Sequence, residues 1–197
     1  MPDSSGPSTN FSSHDVYVSQ DAEDADLVRR CIQGDTAAFT PLVERYQRSL
    51  FTVALRMLGD ADEAKDAAQD AFVKAYRKLA TFDPNRRFFS WLYRILVNEC
   101  LNLQRARRSR EPISDDMAAG SSPEDLFDRR QQRQRLLRAI VMLPLEYRQV
   151  IVLRHFTELS YDDIADTLGI STSIVRSRLY TARRRLGELI AGKGPLK

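Results

Sequence analysis

The 197-residue chain is poor in the residue types that build metal sites and disulfide frameworks. Its two cysteines, Cys31 and Cys100, each lie inside an apolar helical pattern, and its two histidines, His14 and His155, are far apart in sequence. Because zinc sites need ligands at short, regular spacings, we expect no metal and no other cofactor. Isolated cysteines of this kind favour buried thiols in a reducing compartment over a disulfide.

Long apolar runs and export signals are also missing. Nowhere do roughly eighteen apolar residues follow one another, which is the length that a transmembrane helix needs. The N-terminus reads MPDSSGPSTNFSSHD, without the basic start and apolar centre of a secretory signal. The sequence therefore predicts a soluble cytoplasmic protein.

Signatures of catalysis are absent as well. Serine, histidine and acidic residues occur, but they form no nucleophile elbow, phosphate-binding loop, metal motif or pair of inward carboxylates. The sequence therefore predicts that the chain is not an enzyme and that its function is binding.

Lysine and arginine are missing from the first 26 positions, although the whole chain has a formal net charge of +3. The acidic residues of this segment are Asp3, Asp15, Asp21, Glu23, Asp24 and Asp26. The rest of the chain is therefore distinctly basic, which favours a nucleic-acid partner. Residues 1–23 are rich in Ser, Asp, Pro and Gly, and we expect them to form a disordered acidic tail. Such a tail could be inert, or it could shield the basic faces of the free protein.

Helical periodicity dominates the remaining sequence. Apolar residues recur every three or four positions, and they predict four helices within residues 24–108 and four more within residues 129–192. Between them, residues 109–128 switch to Pro, Gly, Ser and acids, which is typical of a flexible linker. No long alternating strand pattern occurs. The sequence thus predicts an all-α fold of two small helical domains.

The segment LSYDDIADTLGISTSIVRSRLYTARRRL has the pattern of a helix-turn-helix. Ser160 and Asp163 have the spacing of a capping box, Gly169 fits a tight exit, and Ser171 or Thr172 fits the cap of the next helix. A short helix, a glycine turn and a second helix are typical of DNA-binding domains.

The second helix of this motif contains five arginines and no carboxylate between Ser171 and Arg185. Its inner positions are Val175, Leu179, Ala182 and Leu186. The outward positions are therefore Ser173, Arg176, Ser177, Tyr180, Thr181, Arg183 and Arg184. Such a face can enter a major groove and use arginines on phosphates and guanine edges. The alternative is a solvated basic helix that packs on an acidic partner.

The first domain carries an acidic cluster and, further on, a mixed aromatic and basic segment. Residues 60–70 contain five acids and one lysine, and the helix dipole does not account for Asp66 or Asp70, which lie beyond the first turn. Since acids repel DNA, this cluster favours a protein partner. Around the fourth helix, exposed aromatics beside arginines suit single-stranded DNA, although Trp91, Leu92 and Ile95 fit a core better.

Two stretches together resemble one protein family. RMLGDADEAKDAAQDAFVKAYRKLATF followed by FFSWLYRILVNECLNLQRARR is similar to the second conserved region of bacterial sigma factors of the extracytoplasmic-function (ECF) group, group IV of the sigma-70 family. LPLEYRQVIVLRHFTELSYDDIADTLGISTSIVRSRLYTARRRL resembles their fourth region. The resemblance covers about residues 24–190, in the family's order and with a linker at the family's position.

This resemblance implies a dissociable promoter-specificity subunit of RNA polymerase. The first domain would bind core polymerase and melt and capture the −10 element, and the second would read the −35 element. The implied partners are bacterial core RNA polymerase, promoter DNA and an anti-sigma factor, and the implied regulon is of the stress or envelope type. The alternative is a stand-alone two-domain helix-turn-helix regulator, which would have no use for the acidic cluster.

The resemblance also implies three sets of contact residues. The polymerase-binding set is Asp62, Glu63, Asp66, Gln69, Asp70 and Phe72. The −10 set is Phe82, Arg86, Arg87, Phe88, Asn98, Arg105 and Arg108. The −35 set is Ser171, Thr172, Ser173, Arg176, Ser177, Tyr180, Thr181 and Arg183.

Some positions depart from the family pattern. Ser173 and Ile174 stand where the family often has Gly-Thr, and Thr181 stands where an arginine is frequent. Ile174 cannot donate a hydrogen bond to a base, so the sequence analysis does not determine which bases are read at −35. It still predicts that the helix docks in the major groove. Leu96 replaces a common small alanine, which indicates altered packing under the −10 pocket.

Overall fold

The computed structural model describes residues 13–84, 86–110, 125–157 and 159–192. Its longer elements there are α1 (Ser13–Ile32), α2 (Phe39–Leu58), α3 (Ala61–Lys78), α4 (Phe88–Arg110), α5 (Asp125–Met142), α6 (Leu145–Phe156), α7 (Tyr161–Leu168) and α8 (Thr172–Ile190). Short 3-10 helices cover Thr36–Ala38 and Leu79–Thr81. The described residues form no strand, and the all-α prediction is confirmed.

The core of the first domain is formed by α2, α3 and α4. The buried face of α3 consists of Ala64, Ala67, Ala68, Ala71 and Ala75. Because these side chains are small, α3 packs closely against both neighbours, and larger residues such as Leu50 and Leu96 fill the space between α2 and α4. Burial raises the pKa of the Cys100 thiol, on α4, to about 12, which keeps it protonated and unreactive.

Helix α1 corrects one expectation about the N-terminus. Residues 13–23, predicted to be disordered, belong to this helix, and residues 1–12 lie outside the described part of the chain. The helix is anchored by Asp24, which is only 1% exposed and accepts hydrogen bonds from the Tyr46 hydroxyl and the Arg45 guanidinium. Such long-range polar contacts leave no trace in local composition, which is why the sequence indicated disorder.

The helices on either side extend into the segment that was predicted to be a linker. Helix α4 continues to Arg110 and α5 begins at Asp125, so both ends of the 109–128 segment are helical. Residues 111–124 lie outside the described ranges. None of the helices in the described ranges is both long enough and apolar enough to cross a membrane.

The second domain packs α6, α7 and α8 around their own apolar side chains. Leu153 of α6, Ile164 of α7 and Leu179 of α8 are almost fully buried. Helix α5 lies against α8 and also against α2 of the first domain.

The two domains pack directly on each other, so their cores are continuous. Helix α6 contacts α2, and α7 contacts α4. The Arg148 guanidinium donates to the Met57 carbonyl at 2.6 Å, and the Arg56 guanidinium lies 3.8 Å from the centre of the Phe156 ring. The structure therefore shows a closed arrangement in which the second domain covers part of the first.

We expect Asp24→Ala to lower the free energy of unfolding by about 2 kcal/mol, because Tyr46 and Arg45 lose a buried acceptor. Asp26→Ala is the matched control, since Asp26 lies on the same helix in an exposed ion pair with Arg29, and it should cost less than about 0.5 kcal/mol. Urea denaturation measures both. Equal losses would show that Asp24 does not anchor α1.

Candidate protein and nucleic-acid interfaces

The first half of the helix-turn-helix is shaped by local side-chain contacts. The Asp163 backbone N–H donates to the Ser160 hydroxyl at 3.1 Å, and the Ser160 N–H donates to the Asp163 carboxylate at 3.0 Å. This confirms the capping box at the start of α7. Gly169 ends the helix with a φ of +66°, a conformation that L side chains rarely adopt.

Ser171 is the cap of α8. Its hydroxyl accepts from the Ile174 backbone N–H at 3.4 Å, and the Thr172 hydroxyl donates to the Asp162 carboxylate at 2.8 Å. The choice between Ser171 and Thr172 is thereby resolved. Both hydroxyls take part in the turn, so these two members of the −35 set position the helix in addition to any contact with DNA.

The outer face of α8 has the predicted composition. The exposed side chains are Ser173, Arg176, Ser177, Tyr180, Arg183 and Arg184, and Thr181 is half-buried. The two remaining arginines of the helix have intramolecular contacts: Arg178 pairs with Glu146 at 3.3 Å, and Arg185 lies over the Tyr147 ring at 4.8 Å. Three of the five arginines are therefore exposed on the outer face of the helix.

The acidic cluster on α3 is an exposed surface. Asp62, Asp66, Gln69 and Asp70 are all exposed, and none of the three carboxylates has an ion pair with the described residues. Glu63 differs, because its carboxylate accepts from Arg107 Nε at 2.7 Å and so ties α3 to α4. Phe72 is half-buried, with its ring edge-to-face against Phe39 at 6.5 Å.

Beyond the acids, the same face of α3 becomes apolar, a feature that the sequence analysis missed. Val73 and Tyr76 are 40% and 43% exposed and border a shallow cavity of about 270 Å³ with Phe39 and Phe72. The signal was present in the sequence, since Val73 follows Asp66 and Gln69 at helical spacing on the outward face.

Two of the predicted −10 residues are in the core. Phe82 and Phe88 are 6% and 3% exposed, and their rings meet at 5.9 Å in a cluster with Trp91 and Tyr46. The expectation that these two rings are exposed for stacking on bases is wrong in this closed arrangement. They are buried because the turn before α4 folds back onto α2, and the rings then support the loop.

The arginines of this loop face the second domain. Arg86 Nη1 lies 2.9 Å from Asp166 Oδ1 on α7. Arg87 Nη1 lies 3.1 Å from Asp163 Oδ2, and Arg87 Nε lies 3.1 Å from Asp21 Oδ2 on α1. Burial raises the pKa of the Asp21 carboxyl, and the charge of Arg87 opposes this. No local pattern could reveal these pairs, because their members lie far apart in sequence.

A groove between α3 and α4 contains the other described −10 candidates. Asn98 and Arg105 are exposed and line a cavity of about 350 Å³. Lys74, Lys78 and Asn102 line the same cavity and were missed by the sequence analysis. Lys74 forms an ion pair with Glu99. Arg108 lies in α4, but its side chain is not among those that the structure describes.

A larger cavity of about 500 Å³ lies where α1, α2 and α4 meet the second domain. Its first-domain wall includes Tyr46, Arg87, Phe89 and Tyr93, and its second-domain wall includes Phe156. The wall on the first domain thus combines aromatic rings with a cation.

Both domains match models of known protein families. The model of sigma-70 region 2 matches residues 42–110, and the model of sigma-70 region 4 matches residues 133–186. These matches define the class as sigma factors.

Several curated relatives are ECF sigma factors. The chain is 36% identical to the ECF RNA polymerase sigma-E factor of Escherichia coli K12, over 86% of this chain and 95% of that one. It is 33% identical to the ECF RNA polymerase sigma factor SigW of Bacillus subtilis, over 81% and 92%. It is also 36% identical to the RNA polymerase sigma-H factor of Pseudomonas aeruginosa, over 85% and 94%. The chain belongs to the ECF sigma factors of the sigma-70 family.

Solved structures of related chains agree with this assignment. CnrH, solved in complex with the cytosolic domain of CnrY, matches with a TM-score of 0.70 and 29% identity, covering 87% of this chain and 99% of that one. The sigma factor RpoE of Bartonella quintana, solved with the anti-sigma factor NepR, matches with a TM-score of 0.63 and 28% identity, covering 78% and 96%.

The turn at Gly169 gives a paired prediction. Gly169→Ala should lower the free energy of unfolding by about 1 kcal/mol, because alanine is strained at positive φ. Gly187→Ala, within α8 and with open space around the added methyl group, should instead stabilise by about 0.5–1 kcal/mol. Urea denaturation of both variants checks the signs. A stabilising Gly169→Ala would contradict the left-handed turn.

Proposed function

We propose that this chain binds core RNA polymerase and directs it to promoters, with its first domain contacting the −10 element and its second the −35 element. The observation that carries the proposal is that negative and positive side chains are exposed on different domains. An exposed acidic surface lies on α3 and an exposed arginine face lies on α8, within a chain of the ECF family. A stand-alone regulator would need the second surface but not the first.

Polymerase binding is assigned to the exposed part of α3. Asp62, Asp66, Gln69 and Asp70 are the contact residues, and the apolar patch of Val73 and Tyr76 extends the same surface. An acidic stretch followed by an apolar patch suits a basic protein surface, and its acids repel DNA. Glu63 and Phe72 support this surface from within, through Arg107 and Phe39 respectively.

Capture of the −10 element is assigned to the loop before α4 and to the α3–α4 groove. Arg86, Arg87 and Arg105 supply positive charge for phosphates, and the exposed Asn98 amide can read a base edge. Arg108 remains a candidate from its position in the sequence. Phe82 and Phe88 hold the loop in shape, and Phe89, half-buried beside Arg87, is the better stacking ring.

Reading of the −35 element is assigned to α8. Its N-terminal turns present Ser173, Arg176 and Ser177, which suit base edges, whereas Tyr180, Thr181 and Arg183 lie further along and suit the DNA backbone. Ser171 and Thr172 hold the first turn in place.

Two further elements of the proposal come from the relatives. Because the Bartonella RpoE was solved with the anti-sigma factor NepR, and CnrH with the cytosolic domain of CnrY, we propose that an anti-sigma factor also binds this chain. Sigma factors are initiation factors, and RNA synthesis belongs to the polymerase. The chain would accordingly act in the cytoplasm, where promoters are, on a stress- or envelope-type regulon.

The polymerase surface is tested by reversing its charge. Asp66→Lys/Asp70→Lys should weaken binding to core polymerase about tenfold or more, because acidic contacts become repulsive. Asp26→Lys/Glu44→Lys is the matched control, since both of those acids are exposed on other helices and the net charge changes equally. Fluorescence titration with core enzyme measures the affinity. Equal affinities for the two double variants would favour the stand-alone regulator.

The −35 surface is tested at Arg176. If Arg176 grips a guanine, Arg176→Ala should cost about 1–3 kcal/mol at the cognate promoter and less at promoters that lack this base. Arg178→Ala is the control, because Arg178 is engaged with Glu146. Competition binding of holoenzyme to promoter variants measures the difference. The same loss on every sequence, with a smaller salt slope, would assign Arg176 to phosphate contact and refute base reading.

A further inference from the structure

We propose that an interdomain latch holds the free chain closed and thereby blocks the loop arginines of its −10 surface, Arg86 and Arg87. The latch consists of the ion pairs Arg86–Asp166, Arg87–Asp163 and Arg87–Asp21. In this state, carboxylates of the protein occupy the cations that would otherwise pair with DNA phosphates. The inference rests on the proposed function, in which Arg86 and Arg87 contact the −10 element.

The geometry of the latch suits competition with phosphate. Arg86 and Arg87 each reach a carboxylate of α7, at 2.9 and 3.1 Å. Arg87 also reaches Asp21, so one guanidinium bridges two carboxylates from two helices. Arginine binds carboxylate and phosphate through the same donors, so the two partners exclude each other at these side chains.

The latch is anchored in a packed seam between α4 and α7. Ser90 and Thr167 are 3% and 2% exposed, and the Thr167 hydroxyl lies 3.5 Å from the Ser90 carbonyl oxygen. The Asp163 side chain is only 13% exposed and is held by the capping box of α7. Because the seam and the cap fix α7, its carboxylates are preorganised opposite the loop.

Closure also covers the surface on which a base could stack. The aromatic wall of the 500 Å³ cavity, with Phe89, Tyr93 and Tyr46 beside Arg87, faces Phe156 and Leu159 of the second domain. In the closed chain this wall is one side of a cleft between domains. Separation of the domains would open it, and an aromatic surface beside a cation is what single-stranded DNA requires.

The same contact restricts the recognition helix. Arg86 and Arg94 of the first domain line one groove together with Ser171 and Ile174 at the start of α8. A major groove about 12 Å wide has to receive these N-terminal turns, and its walls would meet the first domain. The closed arrangement therefore engages the loop arginines and restricts access to the first turn of α8, whereas the rest of the outer face of α8 stays exposed.

If the latch holds the chain closed, the affinity for DNA depends on the fraction of molecules whose two domains are separated. When only the open form binds, the apparent dissociation constant equals the intrinsic constant divided by the open fraction. A substitution that weakens the latch should therefore tighten DNA binding by the same factor by which it raises the open fraction. A partner that holds the two domains apart would act in the same direction.

The test uses the full chain without polymerase and compares Asp166→Arg with Asp162→Arg. Both residues are exposed acids on α7, and both substitutions change the net charge equally. Asp166 faces Arg86, whereas the Asp162 carboxylate faces Thr172 within the second domain.

Fluorescence energy transfer between two dyes reports closure of the domains. The dyes are attached to introduced cysteines, Lys65→Cys and Ile190→Cys, in a Cys31→Ser background. A short randomised single-stranded DNA is the binding probe.

We expect high energy transfer in the otherwise unchanged labelled chain. Asp166→Arg should lower the transfer and tighten binding of the DNA probe about fivefold relative to Asp162→Arg, because an attractive pair becomes repulsive. The swap Arg86→Asp/Asp166→Arg should restore high transfer. Low transfer in the unchanged labelled chain, or equal transfer in both single variants, would overturn the latch.

A failure of the latch and a failure of the proposed −10 function give different experimental results. If Asp166→Arg opens the chain but binds the DNA probe no better than Asp162→Arg, closure does not occlude DNA and the inference is wrong. Promoter-directed transcription with Arg87→Ala and core polymerase then decides the proposed function separately. Loss of initiation would retain the −10 role of the loop, and unchanged initiation would remove it.

Discussion

The alanine face of α3 is the constraint on which the first domain depends. Because Ala64, Ala67, Ala71 and their neighbours are small and buried, α3 lies close to both α2 and α4. The opposite face of α3 is then fixed outward with its acids and its apolar patch. The orientation of the proposed polymerase surface thus follows from one close helix contact. The start of α4, and with it the arginine loop, is held instead by the contacts of Phe88 with Tyr46 of α2 and with Phe82.

Electrostatics separates the functions and also couples the domains. Asp62, Asp66 and Asp70 on α3 have no ion pairs with described residues and remain exposed, whereas acids on α7 are placed against Arg86 and Arg87. The first set is suited to a protein partner. The second set occupies cations that a nucleic acid would use. One chain therefore keeps its polymerase surface open while the arginines of the loop before α4 are paired with the second domain.

Much of the local structure could be predicted from the sequence, because its causes are local. The capping box at Ser160, the turn at Gly169 and the inner face of α8 depend on residues a few positions apart. Non-local contacts could not be predicted in this way. The burial of Phe82 and Phe88 depends on the loop folding onto α2, and α1 is tied to α2 because Asp24 contacts Arg45 and Tyr46. The pairing of Arg87 with Asp163 likewise appears only when the two domains meet.

Run-off transcription tests the central claim, that the chain confers promoter specificity on polymerase, most directly. The purified chain would be combined with sigma-free bacterial core polymerase and a pooled fragment library of its own genome at moderate salt. The account predicts discrete start sites that share −35 and −10 elements and that depend on the chain. Absence of initiation with the native core enzyme, while the chain still binds DNA, would contradict it.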